Sequence, residues 1–224
     1  MKITAVIVAA GSGKRMCASE NKVFLNLAGK RILEYTVEAF ERCNRVDNIV
    51  LVTRECDIPF CRDIKAKKLK RIIAGGRERQ ESVYFGLCEA EGDIVLIHDG
   101  ARPFVSDSEI NNVIDDCMRY GAAAVGVKCK DTLKTIDVEG MISSTSDREH
   151  TYMIQTPQAF YLSDILREHE RARAAGVFVT DDCALMEMAG KKIKVTDGSY
   201  DNIKLTTPED LAVGEMILKR KGGF

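Results

Sequence analysis

The sequence has few histidines and no paired cysteine motif. It contains three histidines and eight cysteines, and no two cysteines form a C-x-x-C pair. A zinc site of known spacing is therefore not expected. A disulfide scaffold is not expected either, because a chain of 224 residues can build a hydrophobic core of its own. We interpret the cysteines as mostly reduced, buried, apolar side chains of a cytoplasmic protein.

The chain also lacks a long hydrophobic run and an excess of charge of either sign. No stretch approaches the roughly 20 apolar residues of a membrane span. The short apolar run at the N-terminus leads into the charged pair Lys14–Arg15 and not into a signal cleavage site. Because the net charge is −1, a domain that binds nucleic acid by bulk charge is disfavoured. A local basic pocket for a small phosphorylated ligand is compatible with this balance.

What the sequence does contain is apolar residues in alternating strand-like and helix-like patterns. Hydrophobic residues make up 45% of the chain and charged residues 30%, which excludes global disorder. The predicted strands are 3–10, 48–53, 70–74, 93–98, 122–127 and 192–196. The predicted helices are 32–42, 81–90, 106–120, 164–175, 181–189 and a last one from 207, while 57–68 is ambiguous.

These repeated strand–helix–strand units predict one α/β domain over residues 1–224, with a mostly parallel sheet and helices on both faces. Between 128 and 151 polar and apolar residues alternate around a central turn, which predicts a two-stranded β-arm. A hairpin is marginal alone, so we expect the arm to pack on a partner subunit in a homodimer. Ligands of parallel sheets bind beyond the carboxyl ends of the strands, here the turns after Ala10, Ala74 and His98.

A Gly-rich turn with two cations follows the first predicted strand, in the segment AAGSGKRM at 9–16. Small residues let backbone amides approach a ligand closely and cradle phosphate. The segment is not a Walker A loop, since Arg15 follows Lys14 where Ser or Thr is required. It is not the dinucleotide fingerprint, since Met16 occupies the third Gly position. The adjacent cations, with Lys22 further on, favour phosphate binding over an ordinary turn.

The segment HDGARP at 98–103 places an acidic side chain at the end of a buried strand. We do not expect Asp99 to cap a helix, because Ser106 or Asp107 caps the next one. The sequence therefore favours a role for Asp99 in binding a metal ion or ribose hydroxyls. We interpret His98 as a packed side chain. Arg102 is close enough in sequence to offer a phosphate fork.

Other segments carry weaker signals. In the turn GGRERQESV at 75–83, the backbone and Ser82 could contact a base edge and Arg79 could contact phosphate. Taken alone, a solvated charged turn is the favoured interpretation of this segment. In DNIKLT, Lys204 lies in a β-like run, where a lysine facing a cleft requires an anionic partner. Arg148 at the end of the arm and Thr180 before a helix are two further candidates. An exposed arginine and a helix cap are the alternative interpretations, and the residues taken singly do not decide between them.

Taken together, the candidate residues are cations and backbone donors, without a Ser-His-Asp signature or a cysteine with an evident histidine partner. This inventory suits phosphoryl or nucleotidyl transfer, in which catalysis is mainly positioning and charge neutralisation. A Mg²⁺ ion held largely by substrate phosphates would complete such a site.

Seven segments occur in the order and spacing of one known family. They are AAGSGKRM, NKVFLNLAGKRIL, GGRERQESV, HDGARPF, DREHTYMIQTPQAF, VTDD and DNIKLTTPEDL. Over essentially its whole length the chain resembles the 2-C-methyl-D-erythritol 4-phosphate cytidylyltransferases. The resemblance implies a Rossmann-like nucleotidyltransferase fold, a homodimer with an exchanged β-arm, and Mg²⁺-dependent cytidylyl transfer from CTP to the methylerythritol phosphate in non-mevalonate isoprenoid synthesis.

The resemblance also implies roles for individual residues. The catalytic cations would be Arg15, Lys22 and Lys204. The nucleotide-binding residues would be Ala9, Ala10, Gly11, Gly13, Gly76, Arg79, Ser82, Asp99 and Gly100. The acceptor-binding residues would be Arg102, Thr132, Arg148 and Thr180, of which Thr132 and Arg148 come from the partner's arm. Asp99 or Asp201 would be the metal carboxylate, with Mg²⁺ held mainly by the CTP phosphates.

Three residues depart from the family's usual pattern. Asn21 stands where the family commonly has Pro, Val23 where Gln is frequent, and Gly100 where Ala is frequent.

Three other functions compete with this interpretation. A ribitol 5-phosphate cytidylyltransferase is the nearest alternative, and the pair Thr180–Asp181 and the turn at 75–83 disfavour it. The TPQAF and DNIK segments disfavour a sugar-1-phosphate uridylyl- or thymidylyltransferase. A non-catalytic nucleotide-binding protein is disfavoured because no catalytic cation is lost.

Overall fold

The computed structural model describes residues 1–11 and 21–222. The strands are β1 (Ile3–Val8), β2 (Asn26–Leu27), β3 (Lys30–Arg31), β4 (Asn48–Thr53), β5 (Leu69–Ala74), β6 (Ile94–Asp99), β7 (Ala122–Lys128), β8 (Lys134–Ile136), β9 (Ile142–Thr145), β10 (Tyr152–Tyr161) and β11 (Lys194–Asp197). The helices are α1 (Ile32–Arg42), α2 (Ile58–Cys61), α3 (Arg79–Cys88), α4 (Asp107–Tyr120), α5 (Leu162–Ala175), α6 (Asp182–Met188) and α7 (Pro208–Arg220). Short 3₁₀ turns are Lys22–Phe24, Glu55–Asp57 and Arg148–His150.

Seven strands form one central sheet in the order β11-β7-β10-β6-β1-β4-β5. Strand β10 runs antiparallel to both its neighbours, β6 and β7, and the other pairings in this sheet are parallel. The predicted mostly parallel sheet is therefore confirmed. Its central strands read as continuous apolar runs because they are covered on both faces.

Helices cover both faces of the sheet, as predicted. Alternate side chains of a strand point to opposite faces, so Ile7 of β1 packs with α1 and α4, and its neighbour Val6 packs with α3. Helices α5 and α6 lie on the same face as α3. Helix α7 packs with the small β2–β3 hairpin in a third apolar cluster around Leu27 and Phe104.

Helix boundaries agree best with the sequence where caps are strong. Ser106 and Glu109 form the predicted capping box of α4, and Thr207 caps α7, which starts at Pro208. The ambiguous segment 57–68 contains only the four-residue helix α2. Strand β1 ends at Val8, not at Ala10 as predicted.

Strand β10 was not predicted, and its composition explains why. It contains Pro157 and three buried polar side chains, Gln155, Thr156 and Gln158, which interrupt the apolar pattern of a buried strand. These side chains form hydrogen bonds to residues distant in sequence, such as Gln158 Nε2 donating to Asp181 Oδ2 at 3.0 Å. Local patterning therefore could not identify it as a central strand.

The predicted β-arm is a separate two-stranded sheet of β8 and β9, inserted between β7 and β10. Both strands are exposed along their whole length. The exposed apolar side chains of the arm are Leu133, Ile136, Val138, Met141 and Ile142. Such a run of apolar side chains on a hairpin is typical of a surface that packs on another polypeptide.

The described cysteines agree with the interpretation drawn from the sequence. All seven are free, and five of them are buried: Cys43, Cys61, Cys117, Cys129 and Cys183. Within residues 1–11 and 21–222, no helix is both long and apolar enough to cross a membrane. A cytoplasmic location stays a prediction.

Candidate active site

The cavity of interest lies where parallel strands end and the strand order changes direction. From β1 the chain proceeds to β4 and β5 on one side and then crosses to β6 on the other, which makes a topological switch point. Val8 of β1 pairs with Asp99 of β6 at this edge. The turns after Ala10, Ala74 and His98, where the sequence predicts a ligand, border one cavity of about 410 Å³.

Many of the predicted site residues line this cavity together. They are Ala9, Ala10, Gly11, Lys22, Gly76, Arg79, Ser82, Asp99 and Lys204. They come from segments far apart in sequence, so the parallel sheet brings them together. Gly13 and Arg15, together with Cys17, lie outside the described residues.

Asp99 is a carboxylate on the cavity wall on which three cationic side chains converge. Lys204 Nζ lies 2.8 Å from Oδ2, Arg79 Nε lies 3.4 Å from Oδ1, and Arg102 Nε lies 3.7 Å from Oδ2. Burial by itself would raise the pKa of Asp99, but these cations outweigh it and hold the pKa well below its usual range. Asp99 therefore stays ionised, and the cluster keeps positive charge for an anionic ligand.

Arg79 is held from behind by a buried pair that sequence reasoning missed. Its Nη1 donates to Asp182 Oδ2 at 2.8 Å, and His169 Nε2 donates to the other carboxylate oxygen of Asp182 at 3.1 Å. Asp182 and His169 are 1% and 0% exposed. The available signal was the doublet in VTDD, in which Asp181 caps α6 and Asp182 faces Arg79.

His98 and Thr156 support the backbone behind Asp99. Thr156 Oγ1 accepts from the Asp99 amide at 3.0 Å and donates to His98 Nδ1 at 3.1 Å, while His98 Nε2 donates to the Arg102 carbonyl at 3.0 Å. Burial lowers the pKa of His98 to about 4, so the imidazole is neutral at physiological pH. His98 is thus a packed side chain, as the sequence predicts.

Lys204 lies on an irregular segment, and the β-like interpretation of this run is wrong. The structure has no strand between residues 201 and 206, because the chain leaves the sheet at the end of β11. The segment is fixed instead by Asn202, whose Nδ2 donates to the Thr156 carbonyl at 2.9 Å, and by Leu205, whose amide donates to the Ala101 carbonyl at 2.9 Å. The anionic partner that a lysine in a cleft requires is Asp99.

The turn between β5 and α3 packs tightly against the first strand. A Cβ on Gly75 would lie 2.5 Å from Ala10 Cβ and 2.7 Å from Ser82 Oγ, so only glycine fits there. Ser82 Oγ accepts from the Gly76 amide and donates to the Glu78 carbonyl, each at 3.0 Å. Ser82 therefore shapes the turn that borders the cavity.

Two predicted residues lie behind the cavity wall. Arg102 Nη1 donates to the Asn202 carbonyl at 2.7 Å, which ties the Asp99 turn to the Lys204 segment. Gly100 donates its amide to the Val8 carbonyl at 2.8 Å. Neither residue lines the cavity.

Four predicted residues are not brought to the cavity within one chain. Thr132 and Arg148 are exposed on the arm, and Thr180 is exposed before α6. Asp201 forms an ion pair with Arg220 of α7 and does not line the cavity. The structure therefore places none of these four residues in the lining of the cavity.

The side chains around the cavity offer few ligands for a metal ion. Among the residues that the structure describes, no three His, Cys, Asp or Glu side chains are grouped as metal ligands. Asp99 is the carboxylate at the strand end, and cations surround it. This arrangement fits Mg²⁺ that keeps water and phosphate oxygens as most of its ligands, and not a dedicated protein site.

Comparison with known proteins agrees with this geometry. The family model described as IspD, 2-C-methyl-D-erythritol 4-phosphate cytidylyltransferase, matches residues 3–220. This chain belongs to that family.

Relatives and solved structures extend the similarity over the whole domain. The 2-C-methyl-D-erythritol 4-phosphate cytidylyltransferase of Clostridium botulinum (strain Eklund 17B / Type B) is 47% identical over 97% of this chain and 100% of its own length. That of Desulforamulus reducens is 43% identical over 98% of this chain and 97% of its own. The crystal structure of 4-diphosphocytidyl-2C-methyl-D-erythritol synthase from Anaerococcus prevotii superimposes with a TM-score of 0.89 at 36% identity, covering 98% of this chain and 99% of that one. The cytidylyltransferase structure from Thermus thermophilus gives 0.80 at 30% identity, covering 98% and 100%. The sheet and helices of this chain therefore have the same fold as these solved structures.

Proposed function

We propose that this cytidylyltransferase family member transfers the cytidylyl group of CTP to 2-C-methyl-D-erythritol 4-phosphate. The products are 4-diphosphocytidyl-2-C-methyl-D-erythritol and pyrophosphate, in non-mevalonate isoprenoid precursor synthesis. The observation that carries the proposal is the cationic cluster around Asp99, with Lys22 on the same cavity, at the switch point of the family's fold.

The chemistry needs charge neutralisation more than proton transfer. An oxygen of the acceptor phosphate attacks the α-phosphorus of CTP, and the bond from that phosphorus to the bridging oxygen of pyrophosphate breaks. Because the attacking oxygen is already anionic, no general base is required. The barrier lies in bringing two anions together, which Lys22 and Lys204, with Arg15 from the preceding segment, offset by positive charge.

The nucleoside would bind along the backbone at Ala9–Gly11 and against the turn of Gly76 and Ser82. Backbone donors and acceptors can distinguish cytosine from uracil, since uracil replaces an amino donor by a carbonyl acceptor. A mismatched base leaves polar groups unpaired, at a cost of roughly 1–3 kcal/mol each. In this proposal, Asp99 would accept hydrogen bonds from hydroxyls of the ribose or of the acceptor. CTP is therefore the expected nucleotide, in preference to UTP.

We propose that Mg²⁺ accompanies CTP into this cavity, with Asp99 as the carboxylate nearest to it. Bound there, Mg²⁺ would neutralise charge on the triphosphate oxygens. The chain itself would hold the side chains of Lys204 and Arg79 in position, through Asp99 and Asp182, before the substrates bind. A chelator should abolish turnover and leave the melting temperature of the substrate-free protein unchanged.

The acceptor site would be completed by a second subunit. The exposed arm carries Thr132 and Arg148 away from the cavity, together with exposed apolar side chains that suit an interface. In a homodimer with exchanged arms these residues would bind the acceptor phosphate beside Thr180 and Arg102. The composite site explains why no single chain assembles the predicted set.

Pyrophosphate release tests this function. Purified protein is incubated with Mg²⁺ and CTP, and with either 2-C-methyl-D-erythritol 4-phosphate or ribitol 5-phosphate, while UTP and ATP serve as nucleotide controls. Turnover with CTP and the methylerythritol phosphate alone is the expected result. Turnover with ribitol phosphate would keep the mechanism and change the acceptor. Binding of CTP without any turnover would support a non-catalytic nucleotide-binding protein instead.

A further inference from the structure

Asn21 is a buried polar side chain in the wall of the cavity, one residue before Lys22, and both its amide nitrogen and its amide oxygen form hydrogen bonds. It is 1% exposed. Its Nδ2 donates to the Ala9 carbonyl at 2.7 Å and to Asp57 Oδ2 at 3.0 Å. Its Oδ1 accepts from the Val23 amide in a longer contact of 3.5 Å, as the N-cap of the 3₁₀ turn. One amide group therefore joins the turn of Lys22 to two other parts of the chain.

Both attachment points are rigid and lie at the carboxyl ends of adjacent strands. Ala9 continues β1 and donates its amide to the Val52 carbonyl of β4 at 2.7 Å. Asp57, 4% exposed, follows β4 and is clamped by Arg54, whose Nε and Nη2 donate to its two carboxylate oxygens at 2.6 and 2.9 Å. Arg54 and Asn21 keep the pKa of Asp57 below its usual range, although burial alone would raise it.

The backbone at Asn21 is extended, with φ −65° and ψ 124°. Proline has the same φ fixed by its ring. A proline would hold the backbone angle but has no side-chain donor for Ala9 or Asp57. In this chain hydrogen bonds to the sheet hold the turn instead.

We propose that Asn21 is a positioning residue for Lys22, which it holds on the cavity by anchoring the 3₁₀ turn to Ala9 and to the Arg54–Asp57 pair. The proposal rests on the proposed role of Lys22 in the reaction. Small displacements of a charge-neutralising group reduce catalysis steeply, because the group must meet charge that develops only in the transition state. The anchor therefore affects kcat more than the binding of either substrate.

A double-mutant cycle tests the proposal. Asn21→Ala should lower kcat about 10- to 100-fold, with the KM for CTP changed much less. In a Lys22→Ala background the same substitution should have almost no further effect, because it acts through the lysine. Equal losses in the two backgrounds, or an unchanged kcat, would overturn the proposal.

Two further variants separate positioning from folding. Asn21→Asp keeps the size and the acceptor for Val23 but removes both donors, so its kcat should fall at least as far as that of Asn21→Ala. A wild-type kcat in this variant would contradict the proposed anchor. Asn26→Ala is the matched control, since Asn26 also bonds a backbone amide, that of Gly29 at 2.6 Å, on an exposed turn away from the cavity. Its kcat should stay at the wild-type value.

The measurements distinguish a failure of this inference from a failure of the proposed function. If the wild-type protein releases no pyrophosphate, the proposed function fails, and this inference fails with it because it rests on the role of Lys22 in the reaction. If the wild type is active and Asn21 variants lose activity only in proportion to their loss of folded protein, measured by circular dichroism, the inference alone fails.

Discussion

At the residue scale, Asp99 organises the cavity because it fixes cations that would otherwise repel one another. Lys204 and Arg79 approach its two different oxygens, and Asp182 holds Arg79 on its other side. The site is thus charged and ordered before any ligand binds, which is the condition for electrostatic catalysis. Substituting one cation should therefore affect the transition state more than the fold.

Lys204→Ala tests this charge directly. We expect kcat to fall about 10²–10³-fold, by analogy with removal of a preorganised donor to developing negative charge. Steady-state pyrophosphate release is the measurement. Lys70→Ala, an exposed lysine at the edge strand β5, is the control and should be fully active. A fully active Lys204→Ala protein would contradict the mechanism.

His98 predicts how stability responds to acid. Its pKa is near 6.5 when unfolded and about 4 when folded, so only the unfolded chain gains this proton between those values. Above about pH 6.5 this group therefore does not reduce the free energy of unfolding. As the pH decreases to about 4, the free energy of unfolding falls by roughly 3 kcal/mol in total because of this group. Urea unfolding from pH 7 to 4 measures the slope.

The pH experiment has a histidine control on the same chain. His98→Gln should flatten the decline in unfolding free energy over this range, whereas His150→Gln, at an exposed position on the arm, should keep it. Equal pH slopes for the wild type and His98→Gln would show that another group causes the acid sensitivity.

At the element scale, helix α3 approaches the sheet closely because it presents glycine to it. A Cβ on Gly86 would overlap Val6 Cγ1 and lie 2.9 Å from Val52 Cγ2. Gly86→Ala should therefore lower the free energy of unfolding by about 1–3 kcal/mol, although alanine is the better helix former. Chemical denaturation at neutral pH measures it.

Gly214 of α7 is the matched comparison. A Cβ there would lie 3.2 Å from Phe104 Cζ and 3.3 Å from Leu27 Cδ1, a tight but adjustable contact. The helix propensity gained, about 1 kcal/mol, should offset the crowding and leave Gly214→Ala near wild-type stability. A Gly86→Ala protein as stable as Gly214→Ala would mean that α3 can move away from the sheet without cost.

Element by element, the sequence predicts best what local chemistry controls. Helix α1 has the predicted bounds, and the caps of α4 and α7 lie where Ser106 and Thr207 place them. Strand β10 was missed, because its buried glutamines donate hydrogen bonds to residues distant in sequence, which no local pattern shows. The same reason concealed Asp182, whose neighbours in the chain indicate only a helix cap.

At the scale of the whole molecule, an exchanged arm would make each active site depend on two chains. Lys22→Ala damages the site in the core, and Arg148→Ala damages the arm. In a mixed dimer, one site would then carry both defects and the other neither. Co-refolding the two strongly impaired variants in equal amounts should restore about one quarter of wild-type activity.

Recovery of activity is measured by pyrophosphate release against the concentration of mixed protein. Each variant refolded alone is the control and should keep its own low activity. If mixing restores nothing while sedimentation shows dimers, Arg148 acts within its own chain, and the composite site is wrong. A monomer at micromolar concentration would exclude the exchanged arm altogether.

The sequence by itself determined most of the strands and helices and the three turns that border the cavity. Apolar runs, capping residues and Gly-rich turns are local signals, so the turns after Ala10, Ala74 and His98 could be chosen before any contact was known. The tertiary structure decided which charges meet. Asp99 between Lys204 and Arg79, and Asn21 on Ala9 and Asp57, are contacts between strand ends whose adjacency depends on strand order. Strand order is a property of the packed sheet, and no local pattern in the chain encodes it.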